Sequence, residues 1–126
     1  PNLNAALGCA EMEKLHSKLR SKRILHKRFK KHFEDLDNFE IICEGNNCES
    51  NYWLITLRIN GDNAERLRNE ILNDSHKQKI FLRPSWILLN ELPMYKNVFS
   101  GDITEAKYQS KRLINMPSSP QLSDGF

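Results

Sequence analysis

No proline interrupts the chain between Asn2 and Asn38, and apolar residues recur through that stretch at helical spacing. Leu3, Leu7, Ala10, Leu15, Leu19, Ile24, Leu25, Phe29, Phe33 and Leu36 lie mostly three or four positions apart, which is one face of a helix. Asn2 or Asn4 is placed to cap its start, and Asp35 to Asn38 reads as its exit. A helix of about 33 residues is roughly 50 Å long. That exceeds the diameter expected of a 126-residue globule. Ala5, Ala6, Gly8 and Ala10 are all small and admit close approach of another element. Part of this helix is therefore expected to pack on something outside the chain, either a second copy or a further domain. The opening at Pro1, without an initiator Met, is read the same way, as a start inside a longer polypeptide.

The helix also carries the charge. Lys18, Arg20, Lys22, Arg23, Lys27, Arg28, Lys30 and Lys31 fall on it, and no acidic residue lies between Glu13 and Glu34. The whole chain has a net charge of +3, so without these eight it would be −5. A basic helix can bind nucleic-acid phosphates, but a solvated face around a Leu/Phe stripe is the commoner reading. No aromatic residue interleaves with the exposed basic ones. Apolar residues make up 39% of the chain, enough for one modest core but less than an average domain carries. No stretch approaches the roughly 20 apolar residues that span a bilayer, and no signal peptide is visible. Cys9, Cys43 and Cys48 do not form a disulfide framework. Cys43 and Cys48 are close enough to pair across a turn, yet free thiols in a reducing cytoplasm are the simpler reading. The four histidines are scattered, and no metal site is expected.

The middle of the chain reads as two strands and a helix. Phe39 to Cys43 is a short apolar run, Glu44 to Ser50 a turn by composition, and Tyr52 to Ile59 a strand rich in aromatic and β-branched residues. Asp62 or Asn63 caps a helix whose apolar face is Leu67, Ile71 and Leu72. Lys79 to Leu82 reads as a third strand, ending at Arg83-Pro84. Ser85 to Leu92 forms a short helix stopped by Pro93, and Met94 to Gly101 is loop. A further helix, capped by Asp102 or Thr104, runs through Leu113, and residues 115–126 are an extended tail. The expected fold is α+β: a long N-terminal helix, then a small, mostly antiparallel sheet covered by helices.

The chemistry-bearing motifs are few. No phosphate-binding glycine loop or activated nucleophile is present, and no catalytic centre is expected. Arg83-Pro84-x-Trp86 joins a cation, a rigid turn and a large aromatic, a set that can line a pocket for an anion or serve as a packed strand exit. Pro93-Met94-Tyr95-Lys96 offers a phenol and an amine on a loop. Tyr52-Trp53 reads as cross-strand packing, and Pro117 to Pro120 as a linker or a pocket border.

Four of these segments, in this order, carry more than their chemistry. PNLNAALGCAEMEKL (residues 1–15) resembles the helix that enters the small C-terminal domain of the DegT/DnrJ/EryC1/StrS aminotransferases, sugar aminotransferases that use pyridoxal phosphate. Lys22-Arg23 followed by Phe29 fits that helix, and Asn51-Tyr52-Trp53-Leu54 is similar to the family's central strand. Arg83-Pro84-x-Trp86 with Leu92-Pro93-Met94-Tyr95 looks like its small-domain pocket loop. Ala106 through Arg112-Leu113-Ile114-Asn115-Met116-Pro117-Ser118-Ser119 resembles its closing helix and proline-serine segment. The combination is most similar to the branch that aminates nucleotide-linked keto-deoxy-sugars, of legionaminic-acid or perosamine type.

The resemblance implies the small domain of a fold-type I aminotransferase over residues 1–126, with 1–37 the connecting helix and 38–126 an α+β subdomain. It implies that the large domain, which holds pyridoxal phosphate on a lysine, is absent, and that this chain alone binds no cofactor and is inactive. Glutamate would be the amino donor and a nucleotide-linked keto-sugar the acceptor, in a cytoplasmic homodimer. Arg83, Trp86, Asn90 and Tyr95 would form the substrate wall. Family members often carry histidine where this chain has Asn90, which hydrogen-bonds a sugar hydroxyl but shuttles no proton near neutral pH. The alternatives are a nucleic-acid-binding module built on helix 18–31, and self-association through the Ala/Gly helix start.

Overall fold

The computed structural model describes residues 1–123, so the last three positions of the expected tail lie outside the described residues. The helical run begins at Asn2, directly after Pro1, so Asn2 and Asn4 lie inside it and cap nothing. It forms as two helices, α1 (Asn2–Glu13) and α2 (Leu15–Phe33). Lys14 joins them with φ −94° and ψ −4°, still in the right-handed region, so the path departs from one helix at a single residue. The two halves differ in what they bury. No residue of α1 is buried, whereas α2 buries Leu25 and His26.

The sheet has four strands, β1 (Phe39–Ile41), β2 (Ile55–Ile59), β3 (Arg83–Pro84) and β4 (Leu113–Met116), all antiparallel in the order β1-β2-β4-β3. Strand β2 alternates buried and half-buried positions, with Ile55, Leu57 and Ile59 inward. Leu25 and Phe29 of α2 pack on that face, together with Ala64, Leu67 and Ile71 of α3 (Ala64–Lys77). Ile55, Ile59 and Ile114 are fully enclosed, each contributing about 1.5–3 kcal/mol of burial. The opposite face is polar: the register aligns Thr56, Asn115 and Arg83 across three strands, and the Thr56 hydroxyl donates to Asn115 Oδ1 at 3.0 Å.

The α+β class and the antiparallel sheet agree with expectation, but four elements differ. The strand expected over Tyr52 to Ile59 begins only at Ile55, because Tyr52 takes φ +46° and residues 52–54 lie outside the ladder. Residues 79–82 are not a strand: Lys79 leaves α3 with φ +62°, and the ladder forms only at Arg83-Pro84. Residues 85–92 are not one helix; single 3-10 turns form at Leu89–Glu91 and Pro93–Tyr95. Helix α4 (Thr104–Ser110) stops before Leu113, and that residue opens β4, a central strand where a helix end and a tail were expected. Asp102 does act at the start of α4, its carboxylate accepting from the Thr104 N–H at 2.9 Å. Asn63 precedes α3 without a side-chain capping bond.

Candidate functional site

The most densely connected polar cluster lies where α2 crosses the chain entering β2. Lys22 and Arg23 sit one after the other on α2, and His26 one turn further on. The ammonium group of Lys22 donates to three main-chain carbonyls: Ser118 at 2.6 Å, Tyr52 at 3.2 Å and Trp53 at 3.3 Å. Burial pulls its pKa below the ordinary lysine value. Arg23 forms a two-pronged bond to Glu44, at 3.2 and 3.3 Å, and donates to the Ser50 carbonyl at 2.7 Å. Glu44 also accepts from the Ser50 N–H at 2.6 Å, and that bond, followed by Arg23, holds its carboxyl below the usual range. His26 Nε2 meets the Ile42 carbonyl at 3.1 Å, and its ring stacks on Tyr52 at 3.9 Å.

These bonds fix an unusual backbone. Tyr52 has φ +46°, a conformation that costs a non-glycine residue about 1–2 kcal/mol. The side chains of Asn51 and Ser50 accept from the Trp53 and Tyr52 N–H groups at 2.9 and 3.0 Å, closing the turn locally. Ser118 Oγ donates to the Trp53 carbonyl at 2.7 Å. The turn delivers the Trp53 indole to the surface, 64% exposed, where it meets Trp86, 76% exposed, edge-to-face at 6.4 Å.

Sequence reasoning grouped Arg83, Trp86, Asn90 and Tyr95. The structure divides them among three places. Asn90 and Tyr95 line an apolar groove of about 480 Å³ with Leu89, Val98, Phe99 and Ile103. Trp86 borders a separate hollow with Arg68, Glu91 and Lys111. Arg83, exposed at the sheet edge, lines neither, and its side chain makes no hydrogen bond or ion pair among the described residues. Trp53 was assigned to core packing but is a surface residue beside Trp86. Lys22, Glu44 and Ser118 were not singled out as an interacting set. Lys22-Arg23, the Tyr52-Trp53 pair and the proline-serine segment were each visible as motifs, but only the fold shows that they meet.

Half of the eight cations on the basic helix are bonded within the molecule. Lys18 pairs with Glu11, Lys22 and Arg23 are bound as described, and Arg28 donates to the Ser123 carbonyl. Arg20, Lys27, Lys30 and Lys31 remain as exposed cations without a bonded partner among the described residues. A pyridoxal phosphate site does not fit the lysines present. Lys22, the one lysine whose pKa burial lowers, bonds carbonyls rather than a cavity, Lys18 is ion-paired, and the others are exposed. Cys9, Cys43 and Cys48 are exposed thiols. Among the described residues no group of three or more His, Cys, Asp and Glu can hold a metal ion, and no helix is long and apolar enough to cross a membrane.

No curated protein matches the sequence. Solved structures match the fold closely. The PLP-form of Spr1654 from Streptococcus pneumoniae superposes with a TM-score of 0.84 at 23% identity, over 99% of this chain and 32% of that one. PseC of Helicobacter pylori, an aminotransferase involved in the biosynthesis of pseudoaminic acid, gives 0.75 at 16% identity, over 93% and 32%. DesI, solved in the presence of its TDP-sugar product, gives 0.80 at 15% identity, over 95% and 33%. The chain thus spans about a third of the length of the structures it matches. The sequence model of one family matches residues 1–125. With motifs, fold and family match in agreement, the chain belongs to the DegT/DnrJ/EryC1/StrS aminotransferase family.

Proposed function

We propose that this chain is the C-terminal small domain of a pyridoxal-phosphate-dependent sugar aminotransferase. Residues 1–37 are its connecting helix and residues 38–126 its α+β subdomain. The observation that carries this reading is the family match over residues 1–125. The chain's coverage of only about a third of each matched structure fits a domain whose cofactor is held elsewhere in the polypeptide. The large domain supplies the lysine and the cofactor, which acts as the electron sink of transamination. Glutamate is the amino donor and a nucleotide-linked keto-deoxy-sugar the acceptor, a class in keeping with the sugar product named for DesI. The active form is a cytoplasmic homodimer.

Within this frame the small domain supplies one wall of the substrate cleft. Arg83 offers an unpaired guanidinium to a phosphate, Trp86 a flat apolar surface, and Asn90 and Tyr95 polar groups for sugar hydroxyls. In this chain the four residues stand at three places on the surface rather than in one pocket. The test is glutamate-dependent amination of a nucleotide-keto-sugar by the intact polypeptide, followed as 2-oxoglutarate release. Arg83→Ala is expected to raise KM for the nucleotide sugar without changing the half-reaction with glutamate. An intact enzyme that aminates no nucleotide sugar sinks the substrate assignment. The isolated chain, mixed with pyridoxal phosphate and dialysed, is expected to retain no cofactor absorbance.

A further inference from the structure

We propose that Lys22 is a positioning residue for the Trp53–Trp86 pair. Its ammonium group ties the left-handed turn at Tyr52-Trp53 to the Pro117-Ser118 segment, and this tie sets the angle at which the two indoles meet. A lysine ammonium has three N–H groups and no acceptor. Here all three acceptors are main-chain carbonyls, drawn from two segments about 65 residues apart in sequence. A lysine on a protein surface ordinarily keeps its charge in water or against a carboxylate. Lys22 has no carboxylate within ion-pair distance among the described residues, and it reaches inward from α2 instead.

The position of those carbonyls explains what the tie is for. The Trp53 carbonyl accepts from both Lys22 and the Ser118 hydroxyl. The preceding residue holds φ +46°, which no local propensity favours for tyrosine. Without donors facing them, the carbonyls of residues 52 and 53 would lose the partners that keep the turn in this geometry. The turn would relax toward an extended strand entry, and the Trp53 ring would swing with it. Trp86 follows the two-residue strand β3, is largely exposed, and has Trp53 as its only aromatic contact among the described residues. The angle at which its indole meets Trp53 therefore depends, through the Trp53 turn, on Lys22. The role of Trp86 in a substrate wall rests on the proposed function; the tie itself does not.

Trp53 and Trp86 are the only two tryptophans of the chain, which makes the pair directly readable. Two indoles held edge-to-face at 6.4 Å couple and split the indole band in circular dichroism. Trp53→Phe or Trp86→Phe alone is expected to abolish the split signal. Lys22→Met is expected to remove at least half of it while the helical signal stays. Lys22→Arg is expected to restore only part, because a planar fork does not meet three divergent carbonyls. Leu67→Ala, a core truncation away from the turn, controls for general loosening: it should lower the unfolding midpoint and leave the splitting intact. The proposal is overturned if Lys22→Met keeps the full splitting, if Leu67→Ala loses as much, or if the unmodified chain shows none. Should Lys22→Met fail to fold, Ser118→Ala removes one donor to the Trp53 carbonyl. The splitting should then largely survive, because Lys22 still holds the Tyr52, Trp53 and Ser118 carbonyls, and its loss would assign the turn to Ser118 and overturn the proposal. A failed aminotransferase assay would leave this test standing, and a failed test here would leave the family assignment untouched.

Discussion

The helix pair at the start of the chain presents two halves of one sequence pattern with opposite fates. Helix α2 lays Leu25 and Phe29 on the sheet and buries Leu25 to 1% exposure. Helix α1 carries two leucines one turn apart, yet Leu3 and Leu7 are 82% and 63% exposed and nothing in it is buried. The segment after β3 behaves like α1: Trp86, Ile87, Leu89, Val98 and Phe99 are all exposed. Apolar periodicity therefore marks where a segment buries itself, but the surface that receives it need not lie in the same chain. The sheet, α2 and α3 form a core that closes on itself. Helix α1 and residues 86–99 present apolar surface with no counterpart among the described residues, as interaction faces do.

That contrast can be broken most sharply in the centre of the sheet. Ile114→Ala empties a fully enclosed site on the central strand β4 and should cost about 2–5 kcal/mol, read as a drop in the urea midpoint at unchanged slope. Hydrogen exchange tests the same contrast without mutation. Amides of β2 and β4 should exchange only on global unfolding, whereas those of α1 should open locally and exchange far faster. Equal protection in the two would show that α1 is held by packing this fold does not contain. A smaller effect is expected at Gly61, between β2 and α3, where φ is +92° and a side chain would have room, its nearest neighbour being Asn38 Oδ1 at 3.9 Å. Gly61→Ala should therefore cost only the backbone strain, about 1–2 kcal/mol.

The Arg23–Glu44 link gives a pH-dependent test of how the packed region is fastened. The Glu44 carboxyl is held low first by the Ser50 N–H and then by Arg23. A carboxyl whose folded pKa is depressed stabilises the fold at pH values above its unfolded value, about 4.3. That contribution is lost as pH falls through the lower folded value. Glu44→Gln removes it at every pH. The stability gap between the two proteins should be widest at neutral pH and close as the solution becomes strongly acidic, measured by urea unfolding across pH. A gap independent of pH would mean that the charge of Glu44 contributes nothing and only its shape matters.

How far these features were legible follows from whether the signal was local. The α2 stripe, the β-branched run ending at Ile59 and the Leu67–Ile71 face are local patterns, and an element formed at each, although the strand expected from Tyr52 starts only at Ile55. Strand β4 was missed because Leu113 to Met116 is four residues long, continues from a helical segment and runs into Pro117, so its alternation is too short to outweigh its neighbours. Its identity comes from pairing with β2, a contact more than fifty residues away in sequence. The strand expected at 79–82 failed for the converse reason: an apolar run was present, but the left-handed Lys79 turned it away from the sheet. The site residues divide the same way. Arg83 and Trp86 were conspicuous as a motif, and Lys22-Arg23 as part of the basic helix, but no local signal told Lys22 from its neighbouring cations. Only the fold shows that its charge points at three carbonyls.

The weakest expected effects test the exposed half of the comparison. Phe99 is 95% exposed, and Leu7 is 63% exposed on a helix that buries no residue. Replacing either by serine removes no buried contact, so the unfolding free energy should move by less than about 0.5 kcal/mol, a small fraction of the Ile114→Ala loss. The same substitutions do change the surface. Phe99 lies beside Leu89, Tyr95 and Val98 in the apolar groove, and Leu7 beside Leu3 on α1, and apolar area of this kind drives association when concentration rises. Light scattering at increasing concentration should show Phe99→Ser and Leu7→Ser more monomeric than the unmodified chain, with unchanged urea midpoints. A midpoint that falls as far as it does for Ile114→Ala would erase the distinction, because the groove or α1 would then belong to the core. A stable midpoint with reduced association would place the apolar surplus of this chain where the fold leaves it, on faces shaped for another surface.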